Sequence, residues 1–121
     1  MDIRPGLVES VRQSFTPALL HEPWRSRVLA GAVPSTGHCY AASEALFHLL
    51  GGKPAGWTPV VVRHEGGPHW FLQHDDGTIL DATVDQFTSL PPYAQGVRKG
   101  FLTRMPSKRA QILMESSCRA T

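Results

Sequence analysis

Between Cys39 and Asp81 the hydrophobic period of the chain changes once, and that change limits the possible folds more than any other feature. From Cys39 to Leu50, residues Ala42, Ala45, Leu46, Leu49 and Leu50 recur at helical spacing and form one apolar stripe. Ser35 or Thr36 can supply capping oxygens before it, and Gly51-Gly52 offers the left-handed residue that closes many helices. Beyond Gly56 the pattern is extended. Pro59-Val60-Val61-Val62-Arg63-His64 is rich in β-branched residues and breaks at Gly66-Gly67. His69-Trp70-Phe71-Leu72-Gln73-His74 follows, then Asp75-Asp76-Gly77 as a loop, then Thr78-Ile79-Leu80-Asp81. Three short strands joined by tight turns make an antiparallel meander.

The flanks add helices. From Gly6 to Leu20, the residues Leu7, Val8, Val11, Phe15 and Leu19 predict an amphipathic helix that Pro17 should end or kink. Arg25 to Ala30 fits a short helix. After Asp81 the pattern loosens through Pro91-Pro92; Gly100-Phe101-Leu102-Thr103 fits a short strand, and Ser107 can cap a final helix over Lys108 to Ser116. The expected fold is therefore α+β, with N-terminal helices, a central helix starting at Cys39, a small antiparallel sheet and a C-terminal helix. A chain of 121 residues, 41% hydrophobic with three Trp and five Phe, can bury one core without staples, so residues 1–121 are expected to form a single domain.

Composition excludes some functions and leaves others open. The formal charge is only +2 and the basic residues are scattered until Lys108-Arg109, which gives nucleic-acid binding little support. No stretch approaches the roughly 20 apolar residues of a membrane span, and Met1-Asp2-Ile3-Arg4-Pro5 is not followed by the apolar run of a secretion signal. An intracellular, cytoplasmic protein with reduced thiols is the expectation, which leaves Cys39 free to act as a nucleophile.

A helix N-terminus favours thiolate over thiol because its unpaired N–H groups carry partial positive charge, and the same amides can face a developing oxyanion. Cys39 has this setting. A general base beside it should be a histidine, whose ordinary pKa of about 6.5 suits proton exchange near neutrality. Of six candidates, His38 adjoins Cys39 but points about 100° away on a helix, His48 is more than two turns off, and His21 and His64 remain open. His69 is favoured because it opens a strand.

Loop parity sharpens the choice. A three-residue loop at Asp75-Asp76-Gly77, with glycine in its left-handed third position, pairs His74 with Thr78 and sets Asp81 opposite Phe71, diagonal to His69. A two-residue loop would put His69 and Asp81 on opposite faces. With the first register, Asp81 can orient the imidazole and stabilise its charged form. Taken alone, Cys39 is most simply a small buried hydrophobe, His69 a strand residue and Asp81 a turn residue; their combination carries the functional reading. A metal site from Cys39, His64, His69, His74 and Asp81 is disfavoured, because His69 and His74 fall on opposite faces of a strand. Trp24, Trp57 and Trp70 read as packing residues. Trp70 and His38, neighbours of the proposed base and nucleophile, are also the candidate substrate contacts.

Gly37-His38-Cys39-Tyr40-Ala41-Ala42 opening a helix, then Pro68-His69-Trp70-Phe71, then Gly77-Thr78-Ile79-Leu80-Asp81-Ala82-Thr83, resembles the core of transglutaminase-like proteins within the papain-like superfamily. The order of residues is also similar to that of the arylamine N-acetyltransferases. The resemblance spans roughly Ser35 to Thr83. It departs where those families commonly have Asp-Pro-Thr and this chain reads Asp81-Ala82-Thr83, and where His-Ala-Trp is replaced by His69-Trp70. Papain-like enzymes add an oxyanion-hole Gln upstream of the Cys, for which Gln13 is a distant candidate. The resemblance implies a Cys-His-Asp triad of Cys39, His69 and Asp81. The resulting expectation is a cysteine-dependent acyl-transfer enzyme or hydrolase that needs no cofactor or metal. It would act on an amide, isopeptide or thioester bond of a peptide, protein or small acyl substrate. The alternative is a non-catalytic binding or inhibitory module on the same scaffold.

Overall fold

The computed structural model describes residues 6–120, the side chains of Arg119 and Ala120 excepted; Met1–Pro5, read above for its lack of a following apolar run, lies outside the described residues. Helix α1 (Leu7–Gln13) and the short α2 (Trp24–Leu29) precede the central helix α3 (Cys39–Leu49). Strands β1 (Trp57–His64), β2 (Gly67–His74) and β3 (Ile79–Leu80) follow as the expected meander, then β4 (Val97–Arg98) and helix α4 (Lys108–Ala120). The sheet is antiparallel throughout, in the order β3-β2-β1-β4.

The ends of α3 differ in how they are made. At its C-terminus Gly51, at φ 95°, turns the chain so that Gly52 N donates to Phe47 O (2.8 Å) and Gly51 N to His48 O (3.3 Å), which satisfies the last carbonyls. At its N-terminus neither Ser35 nor Thr36 caps. His38 holds the cap position without a side-chain bond, and Ser35 Oγ instead donates to Asp85 Oδ1 at 2.5 Å. The earliest α3 bond runs from Ala42 N to His38 O (2.8 Å), so the amides of Cys39, Tyr40 and Ala41 begin the helix without partners of that kind. Gly37, at φ 82°, makes the tight entry, and a Cβ there would lie 2.7 Å from the Cβ of Trp24.

Strand alternation sorts the core into two sides of the sheet. Trp57 and Leu72 pack with Ala42 and Leu46 of α3 and with Leu7 and Val11 of α1. On the other side, Val60, Val62 and Phe71 form a cluster covered by Ile79 and Tyr93. Each large side chain buried this fully contributes about 1.5–3 kcal/mol. The back of α3 is used as well, where Ala41 and Ala45 meet Ala110 and Leu113 of α4. Glu44, fully buried on α3, accepts bonds from Ser107 N (3.0 Å) and Ser107 Oγ (2.6 Å), while Ser107 Oγ also accepts from Ala110 N (3.3 Å) as the expected cap of α4.

The first helix ends before Pro17 as expected: α1 stops at Gln13, and Pro17–Leu19 is a separate 3-10 turn opened by the proline. One expected element differs. Gly100–Thr103 is not a strand. Pairing with β1 occurs earlier, at Val97 and Arg98, and Lys99 N then donates to Pro59 O (3.1 Å). The segment after it crosses to α3, where Leu102 N donates to the Tyr40 hydroxyl (2.7 Å) and Phe101 packs edge-on against the Tyr40 ring.

Candidate active site

The β2–β3 connection decides whether a site forms. His74 N donates to Thr78 O (2.8 Å), Leu72 pairs with Leu80, and Gly77 has φ 94°, so the loop has three residues with glycine in the left-handed position. Continuing this register by one pair sets Asp81 beside Phe71, on the face that carries His69. His69 Nε2 donates to Asp81 Oδ2 at 2.7 Å, and the two side chains are only 1% and 4% exposed.

Three donors converge on the Asp81 carboxylate. Oδ2 accepts from His69 and from the Tyr93 hydroxyl (2.8 Å), and Oδ1 accepts from Thr83 N (3.2 Å). The loop that follows is braced from outside. Arg12 of α1 donates to Ala82 O (2.7 Å) and grips Asp85 with both terminal nitrogens (3.1 and 3.0 Å), while Gln86 Oε1 accepts from Gly37 N at 3.5 Å. This bracing ties the residues after Asp81 to the entry of α3.

Cys39, half-buried at the first turn of α3, is the second titratable group that acts on the imidazole. Burial opposes a charge on His69, but the hydrogen bond to Asp81 and that group's negative charge, with a further contribution from Cys39, outweigh it and push His69 up to about 9. Nδ1 is buried and has no hydrogen-bond partner, which leaves the bond to Asp81 at Nε2 as the one that holds the ring. Phe87 (4.6 Å, edge-on) and Phe71 (6.2 Å) wall the ring with apolar surface. The three positions singled out from the sequence thus lie together: Cys39, His69 and Asp81.

The other candidates fall elsewhere. His38 does not present itself to a substrate, which corrects the expectation: it is 1% exposed, stacked on Phe15 at 4.4 Å, with both ring nitrogens unpartnered. Burial first, and the charge of Arg109 second, lower its pKa to about 4. Trp70 is half-buried on the opposite face of β2 from His69, set edge-on to Tyr40 (4.9 Å) and stacked with Phe101 (5.6 Å). His64 bonds Ser89 O (2.9 Å) and His74 bonds Ala55 O (3.0 Å), so each serves its own loop. Gln13 is exposed at the end of α1. Among the described residues no group of three His, Cys, Asp or Glu side chains is arranged to hold a metal, and no helix is long and apolar enough to cross a membrane. Tyr93 went unseen in the sequence. It follows Pro91-Pro92 in a 3-10 turn (Tyr93–Gln95), where no periodicity marks which way a side chain goes.

The site thus sets a thiol, an imidazole and a carboxylate near one another on an α+β scaffold. No protein-family model, curated protein or solved structure matches the chain.

Proposed function

We propose that the protein is a cysteine-dependent acyl-transfer enzyme or hydrolase with a papain-like arrangement of its nucleophile helix and sheet, acting on an amide, isopeptide or thioester bond. The observation that carries this reading is the 2.7 Å bond between His69 Nε2 and Asp81 Oδ2, on an imidazole close enough to Cys39 to be influenced by it. With Nε2 taken by Asp81, Nδ1 is the atom left for proton exchange with sulfur. An imidazole that keeps its proton up to about pH 9 is charged at neutrality and has a proton to give to a leaving group.

In the reaction, the Cys39 thiolate adds to the carbonyl carbon, forming a C–S bond and moving the carbonyl electrons onto oxygen. The amides of Cys39, Tyr40 and Ala41, which open α3, are the donors available to that oxyanion. As the tetrahedral adduct collapses, the bond to the leaving nitrogen or sulfur breaks and His69 gives that atom its proton. Water, an amine or a thiol then attacks the acyl-enzyme, His69 takes a proton from it, and the C–S bond breaks to return Cys39. Asp81 keeps Nε2–H in place through both halves.

The test is labelling of the full chain with iodoacetamide, read by intact mass and peptide mapping, followed by a panel of thioester, amide and ester donors. Cys39 should label ahead of the exposed Cys118 at pH 6, lose that advantage in His69→Ala, and accumulate an acyl adduct that is absent in Cys39→Ala. Equal labelling of both cysteines with no effect of His69→Ala would sink the enzyme reading and favour a binding module.

A further inference from the structure

The Tyr93 hydroxyl is hydrogen-bonded to the atom that holds the imidazole. It donates to Asp81 Oδ2 at 2.8 Å, and the same oxygen accepts from His69 Nε2 at 2.7 Å. This convergence does not come from regular structure, since Tyr93 lies in a 3-10 turn beyond Pro91-Pro92 and shares no strand with Asp81 or His69. The turn is nevertheless closely fitted. The Tyr93 ring packs edge-on against Phe71 (4.9 Å), and Gly96, which closes the turn, lies so near the sheet that a Cβ there would come within 2.5 Å of Val60 and 3.1 Å of Phe71. The phenol is thereby pressed onto the sheet with its oxygen at Asp81.

We propose that Tyr93 is a positioning residue for the triad: by sharing Oδ2 with His69, its hydroxyl fixes the carboxylate and draws off part of its negative charge, moderating how tightly His69 holds its proton. This rests on the triad reading above. A carboxylate with one fewer donor is a stronger acceptor for the partner that remains, so without the hydroxyl the imidazolium would be stabilised further. Because the base must also give its proton to the leaving group as the adduct collapses, an imidazole held too firmly in its charged form would slow the departure of that group.

The groups around this chain are few. The titratable neighbours of His69 are Asp81, following β3, and Cys39, on α3; its other contacts, Phe71 and Phe87, carry no charge. Among the described residues, Asp81 is the charged group that acts on Tyr93, and both burial and that carboxylate raise its pKa, so the phenol remains a donor across the working pH range.

The experiment follows the His69 ring by NMR in the full chain with isotope-labelled histidine, assigned by His69→Ala. In Tyr93→Phe, which keeps the ring against Phe71, the His69 midpoint should rise by about 0.5–1 pH unit while the fold, read by circular dichroism, is retained. Replacing Tyr93 with a ring-fluorinated tyrosine, a stronger donor of the same shape, should lower the midpoint; this second variant decides the matter if the phenylalanine form does not fold. A midpoint that is unmoved in the variants, or that falls in Tyr93→Phe, would overturn the proposal. The alkylation profile of Cys39 is recorded in parallel. If His69→Ala leaves it unchanged, the nucleophile reading fails on its own, whereas the histidine midpoints still judge the role of Tyr93.

Discussion

His38 and His69 are the same side chain at the same depth, each 1% exposed, yet they hold opposite charge states at neutral pH. His38 lies against Phe15 with both nitrogens unpartnered and Arg109 as its nearest charge influence, and its pKa falls to about 4. His69 is walled by Phe71 and Phe87, but Asp81 supplies a hydrogen bond and negative charge, Cys39 adds to the effect, and its pKa climbs to about 9. Burial acts in the same direction on both rings. What separates packing filler from a candidate base is the carboxylate at Nε2, and hence the register that delivers Asp81.

The comparison breaks most directly at Asp81. In Asp81→Asn, His69 should behave like His38, its midpoint falling from about 9 to below 6.5, a change of more than two pH units readable by histidine NMR; a midpoint that stays near 9 would mean Cys39 alone governs the ring. The next largest effect concerns sulfur. His69→Ala should slow alkylation of Cys39 at pH 6 by roughly 30- to 100-fold, measured against Cys118 in the same molecule.

Thermal stability should sharpen the contrast from both sides of neutrality. His69, with its folded pKa raised above the unfolded value near 6.5, contributes stability that is complete below pH 6.5 and is lost as pH rises through 9. His38, with its folded pKa depressed, contributes stability that is present above pH 6.5 and is lost as pH falls through 4. Melting followed by circular dichroism should therefore peak near pH 6.5 and fall by roughly 5 °C or more toward pH 4 and pH 9. His69→Ala should flatten the alkaline limb and leave the acid limb in place. The smallest effect is at the filler itself. His38→Leu removes two buried nitrogens that lack partners, and should raise stability at pH 5 by about 1 kcal/mol in chemical denaturation while removing the acid limb.

Much of this was legible in the chain because it is local. The α3 stripe, the Gly51-Gly52 stop and the Gly77 turn are each encoded within a few residues, and loop parity alone carries Asp81 to the face of His69. What escaped depends on distant packing. Helical angles show that His38 is misdirected for proton exchange with Cys39, but not that Phe15 covers its ring. A two-residue pairing at Val97–Arg98 is too short for any periodic signal, so the strand was sought three residues late, in a segment that Tyr40 instead claims. Tyr93 reaches Asp81 from an irregular turn, and only the assembled sheet defines where its hydroxyl ends.

The Glu44–Ser107 contact gives the far end of the chain a say in the chemistry. Peeling α4 away would strand an acidic group in an apolar gap between helices, so the last helix is tied to the same rod that carries the thiol. Damage to the tail at Ser107 should therefore register some distance away, as a misaimed sulfur.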